Sequence, residues 1–146
     1  MSATLHDRDF FAWTQQQSEL LRAGKWSEID VEHLVGAIES MGANERRELI
    51  NRLAVLLAHL LKWEYQPNYR SRSWRLTIKE QRRQLERLLR DNPSLNTRLS
   101  EFVTEAFVDA VLLSARETGL EENAFPTVCP YGVENIMNPD FFPGKD

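Results

Sequence analysis

The chain has 146 residues, with 42% apolar and 27% charged side chains, the balance of a globular domain and not of a disordered segment. Its net charge of −4 supplies no global attraction to nucleic acid or to a membrane surface, so any such attraction must be local. Cys129 is the only cysteine, which excludes an internal disulfide and four-thiolate zinc or iron–sulfur sites and suits a reducing cytoplasm.

The segment Met1 to Phe10 carries Asp7, Arg8 and Asp9 where a signal peptide needs an apolar run. The longest apolar stretch, Leu53 to Leu61, is interrupted by His59 and covers about half of a bilayer. A single cytoplasmic domain over 1–146, with no membrane contact, is the expectation.

Taken in chain order, Asp7 or Asp9 caps a first helix over about 8–23, closed by Gly24. At roughly 100° per residue, Phe10, Trp13, Gln17, Leu20 and Leu21 share one face of it. Asp30 is the better cap for the next helix, after the weaker start signal at Ser27. Val31, Leu34, Val35, Ile38 and Met41 then recur at three- and four-residue steps, and Leu49, Leu53, Leu56 and Leu60 continue the stripe in phase beyond Gly42. Independent helices have no reason to stay in register, so the phase favours one helix over 30–65, kinked if at all at Gly42. The alternative is a break there, with Asn44 as a new cap.

Gln66, Pro67 and Asn68 end that helix, because the residue before a proline resists the helical region. A further helix is expected over 72–91, with Trp74, Ile78, Leu85, Leu88 and Leu89 inward. Pro93 suits the first position of a last long helix over 93–118, which buries Leu99, Phe102, Val103, Ala106, Phe107, Ala110 and Leu113 and stops at Gly119. Beyond Leu120, prolines punctuate a tail holding Phe125, Tyr131, Ile136, Phe141 and Phe142. So many apolar groups are not left in water, and an ordered strap over 120–146 with a short helix near 132–137 is expected. No stretch alternates with period two. The predicted fold is therefore all-α, an up-and-down bundle of four to five helices with a proline- and aromatic-rich C-terminal strap.

Three polar features could carry chemistry. Glu45, Arg52 and His59 stand at seven-residue intervals along one edge of the apolar stripe, and Glu48 lies one turn before Arg52 in the orientation that favours an ion pair. A carboxylate, a guanidinium and an imidazole facing a bundle interior could make an active site with His59 as general base. The plainer reading, and the favoured one, is a polar network that fixes helix pairing, since structural ion pairs cluster in the same way. A carboxylate-bridged di-iron centre needs Glu-x-x-His on two helices, and no such pair occurs. His6, His33 and His59 lack a zinc-like spacing, so no metal and no cofactor are expected.

The second feature is charge asymmetry. Residues 70–90 hold eight basic and two acidic side chains, a local charge of +6 against −10 for the remainder. Arg75, Lys79, Arg83 and Arg87 climb one helix face in four-residue steps with Arg82 alongside, and Trp63, Tyr65 and Tyr69 come just before. Basic side chains beside aromatics are what backbone-tracking nucleic-acid binding requires, and guanidinium forks suit any anionic partner. The favoured reading is again the plain one, a solvated or internally paired face. The third feature, Cys129, lacks a visible base to lower its pKa and reads as a small buried hydrophobe.

The runs "LHDRDFFAW" (5–13), "IESMG" (38–42), "HLLKWEYQP" (59–67), "RSRSW" (70–74), "ETGL" (117–120) and "FPTVCPY" (125–131) resemble, in order and over nearly the whole chain, family 29 of the domains of unknown function. His6 departs from it, standing where an aromatic residue is expected. The resemblance implies a compact helical bundle and a bacterial source, in a family abundant in cyanobacteria, and brings no activity with it. On the residues alone, the first functional expectation is a non-catalytic interaction module that binds another protein or itself. Nucleic-acid binding through the 70–90 face and an enzyme built on Glu45, Arg52 and His59 are the alternatives.

Overall fold

The computed structural model describes residues 4–144, and every regular element among them is helical. The α-helices are α1 (Leu5–Arg8), α2 (Phe10–Arg22), α3 (Val31–Tyr65), α4 (Arg72–Asp91), α5 (Pro93–Asn96), α6 (Leu99–Thr118) and α7 (Val133–Met137), and single 3₁₀ turns stand at Trp26–Glu28, Pro67–Tyr69 and Glu122–Ala124. No helix among them is long and apolar enough to cross a membrane. The chain divides into two compact units, Met1–Asn44 and Glu45–Asp146.

In the first unit, capping chemistry sets the boundaries. Thr4 caps α1, and the Asp9 carboxylate accepts the Ala12 N–H at 3.0 Å, so α2 begins at Phe10 as a helix separate from α1. Helix α2 ends in a Schellman turn. The Lys25 N–H reaches the Leu20 carbonyl and the Gly24 N–H reaches that of Leu21, with Gly24 at a φ of +70° that a side chain would resist. Asp30 Oδ1 then accepts the His33 N–H at 3.3 Å and starts α3.

Helix α3 is continuous from Val31 to Tyr65, through both Gly36 and Gly42. A Cβ at either glycine would meet nothing within 4 Å, so neither is demanded by close packing. In the second unit the leucine stripe of α3 is wholly buried: Leu49, Leu53, Leu56 and Leu60 have no exposure at all. They meet Ile78 and Leu85 of α4 and Phe102, Ala106 and Ala110 of α6 in one hydrophobic core. Each such leucine contributes about 1.5–3 kcal/mol by leaving water. The connections over 66–71 and 92–98 have the short lengths that return helices antiparallel in an up-and-down bundle. Where one helix was expected over 93–118, the chain makes α5, breaks at Thr97 and Arg98, and resumes as α6; at the break the Arg98 N–H closes a tighter turn on the Leu95 carbonyl, three residues back, and the Thr97 hydroxyl donates to the Ser94 carbonyl.

Over 120–144 the C-terminal strap packs within this second unit; the last two positions of the expected strap lie outside the described residues. Phe125, Tyr131 and Ile136 are buried, and the ring of Phe142 lies 4.8 Å from that of Trp63. The Tyr131 hydroxyl donates to Glu64 Oε1 at 2.7 Å; burial first, and this bond second, push the phenol far above its ordinary pKa.

Candidate functional site

Along α3 each step of seven residues rises about 10 Å, so Glu45, Arg52 and His59 line one helix without converging on one point. Glu45 and Glu48 are exposed. Arg52 Nε donates to Glu48 Oε1 at 3.0 Å, and its Nη1 reaches Gln81 Oε1 at 3.4 Å. The half-buried His59 donates from Nδ1 to the Val55 carbonyl one turn back, at 2.8 Å. Burial holds its pKa below the ordinary value, with the neighbouring Lys62 acting in the same sense. Arg52 and His59 therefore have separate local partners and do not bond to each other, which is the pattern of a helix edge held in place.

The basic face of α4 also divides. Arg82 was expected among its anion-binding residues, but it is only 4% exposed and belongs to the strap. Its Nε donates to the Ile136 carbonyl and its Nη2 to that of Phe141, both at 2.8 Å, with Asn135 at 3.3 Å. Burial lowers its pKa to about 10, so it still carries its charge at neutral pH. A guanidinium sealed beneath these carbonyls cannot meet an outside anion. Arg75, although exposed, lies over the rings of Trp63 and Phe142 at 5.1 and 5.2 Å. Lys79, Arg83 and Arg87 remain exposed and border a shallow polar cleft with Glu80 and Gln84.

Lys62 is a charged residue that periodicity did not single out. It is 5% exposed, and its Nζ donates to Glu117 Oε2 at 2.5 Å and lies 5.0 Å from the Trp74 ring. That hydrogen bond holds the Glu117 carboxyl below its usual range. The Arg70 guanidinium donates to the Trp63 carbonyl at 2.8 Å, and the Tyr65 ring lies 5.3 Å from that of Phe125. The segments 59–67, 70–74, 117–120 and 125–131 thus meet in one junction. All four are among the runs that carry the family resemblance; apart from that, the signal in the residues was a lysine set between leucines and a tryptophan.

The first unit holds an open groove of about 790 Å³ between α2 and the beginning of α3. Phe10, Trp13 and Leu21 line it from α2, and Leu34, Ile38 and Met41 from α3. Gly36, Ala37 and Ser40 also border it, and their small side chains leave its volume unfilled. At one end stand His6 and His33, stacked with ring centroids 4.0 Å apart and planes 12° from parallel, with Trp13 edge-on to both. His33 Nδ1 donates to Asp30 Oδ2 at 2.7 Å, and the same carboxylate oxygen accepts from the Trp13 indole at 3.0 Å. These contacts raise the His33 pKa and lower that of Asp30.

Among the described residues, His6, Asp7 and His33 are close enough, with ligand atoms within 4.8 Å, to be considered as a metal-binding group. Imidazole lone pairs lie in the ring plane, however, and two stacked, nearly parallel rings with centroids 4.0 Å apart do not direct them at one ion. As placed, His6 acts as an aromatic ring on His33 and Trp13, which accords with an aromatic residue being expected at its position. Sequence spacing, which left His6 and His33 apart, could not have shown this stack.

Comparison with curated proteins and with solved structures finds no match to this chain. A family model does match it, over residues 5–142, and on that basis the chain belongs to the family described as domain of unknown function DUF29.

Proposed function

We propose that this protein is a non-catalytic interaction module whose first unit takes an apolar element of a partner protein into the groove between α2 and α3. One observation carries the reading. The apolar stripe of α3 is wholly buried over Leu49–Leu60, whereas its continuation at Val31, Val35, Ile38 and Met41 is 50–67% exposed. Phe10, Phe11 and Trp26 are exposed in the same unit. A helix gains stability by burying such a stripe, and a contiguous apolar surface of this kind is characteristic of a binding face.

The two alternatives have less support. Nucleic-acid binding through α4 would have to work without Arg82 and with Arg75 engaged by aromatic rings. An enzyme built on Glu45, Arg52 and His59 would need them at one point, and they are spread along a helix.

The test is site-specific photo-crosslinking in producing cells, with the crosslinking residue placed at position 38 or at position 83. Protein adducts at 38 that disappear when Gly36→Leu fills the groove are the expected result. Nuclease-sensitive adducts at 83, with none at 38, would instead select the nucleic-acid reading.

A further inference from the structure

The groove's dimensions and charge narrow what it takes. We infer that its occupant is an amphipathic helix of about 13 residues from another protein, apolar along one face and flanked by lysine or arginine; this rests on the interaction reading above.

The helical form follows from the walls. Helix α2 has 13 residues and is about 20 Å long, so the groove beside it spans three to four helical turns. The walls are two helices, and no strand exists among the described residues to offer a sheet edge to an extended peptide. A third helix laid between Phe10, Trp13 and Leu21 on one side and Leu34, Ile38 and Met41 on the other would complete a three-helix layer. Its side chains would pack at i, i+3, i+4 and i+7.

The basic flanks follow from charge. Met1–Asn44 contains seven acidic and three basic residues, a net charge of −4, while Glu45–Asp146 is balanced. The whole net charge of the protein therefore belongs to the unit with the groove. Histidines apart, Glu32 is the one charged side chain lining it among the described residues, and Asp7 and Asp30 stand beside His6 and His33 at its end. Cationic flanks on the incoming helix are attracted to this unit and acidic flanks are repelled. The same charge argues against a second copy, whose first unit is equally acidic. The basic helix of a second copy, α4, cannot serve either, because its apolar side at Ile78, Leu85 and Leu88 is already in the core.

The test uses the full chain and four synthetic 14-residue peptides, titrated by calorimetry. Three share a leucine stripe at helical spacing and carry lysine, glutamine or glutamate on the flanks; the fourth has the lysine composition scrambled so that no apolar face forms. The inference expects the lysine peptide to bind about tenfold tighter than the glutamine peptide, with the glutamate peptide weaker still, and this order to compress at high salt. It also expects Gly36→Leu and Ile38→Asp each to abolish binding. Equal affinity for the lysine and glutamine peptides overturns the basic-flank inference and leaves the groove reading standing. Failure of all three striped peptides, or binding indifferent to both substitutions, overturns the two together. Equal binding of the scrambled peptide reduces the effect to unspecific charge and also overturns the inference. Self-association that competes with the peptide and is lost in Gly36→Leu makes a second copy the occupant and overturns it as well.

Discussion

Lys62 of α3, almost fully buried, donates its ammonium to Glu117 near the end of α6 across 2.5 Å. The pair is asymmetric, because the glutamate side chain is 43% exposed and the lysine side chain 7%. Removing the carboxylate leaves a buried cation without its counter-charge, whereas removing the ammonium leaves a carboxylate that water can solvate. Glu117→Ala is therefore expected to lower stability by about 1–2 kcal/mol, discounted for that exposure, and Lys62→Met by less. Urea unfolding of the two variants and of the double variant measures this. A larger loss for Lys62→Met would contradict the asymmetry.

The same corner of the second unit gives the protein an acid limb. Burial depresses the His59 pKa below its ordinary 6.5, so on acidification the unfolded chain takes up that proton before the folded one. Its contribution to stability is full above 6.5 and is lost as pH falls through the folded value. Glu117, also depressed, acts in the same direction below its ordinary 4.5. His33, whose pKa is raised, acts in the opposite sense in the same window. In a His33→Gln background, stability measured between pH 7.5 and 3.5 should therefore fall in two stages, and adding His59→Gln, which keeps an N–H donor but does not titrate, should remove the first alone.

Arg82 ties α4 to the strap through three carbonyls. Arg82→Ala leaves those acceptors unsatisfied and opens a cavity under Phe142, at an expected cost of about 3 kcal/mol. Limited proteolysis should then cut within 120–144 before it cuts elsewhere. Arg83→Ala, one residue along on the exposed face, should change stability by less than about 0.5 kcal/mol.

Gly36 and Gly42 are helical glycines with open space where a Cβ would project. Each replacement by alanine should add about 0.5–1 kcal/mol, because the unfolded chain loses conformational freedom and the folded helix meets no clash. Thermal unfolding checks this. A decrease at Gly36 would mean that the groove needs that position bare for its own folding.

Much of the architecture was legible in the residues. The stripe from Val31 to Leu60 keeps its phase across Gly42, and the helix is continuous there. Capping is a matter of neighbours a few positions apart, so Asp30, Gly24 and Gly119 could be read directly as boundaries. The strap was legible from its aromatics. The break between α5 and α6 was not, because the apolar period around it is unaltered and a single three-residue backbone turn, Arg98 to Leu95, marks it.

By itself, then, the order of residues determined helical class, helix limits and inward faces, since period, caps and turns act over a few positions. Only the tertiary structure decided what became of each polar or apolar group at those faces. Arg75, Arg82 and Arg83 look alike in the chain, yet one lies over aromatic rings, one is sealed under the strap and one is in water. Met41 and Leu49 share a stripe, yet one stays open to solvent and the other is wholly buried. Burial depends on which distant segments arrive opposite a side chain, and that is a property of packing that no local pattern contains.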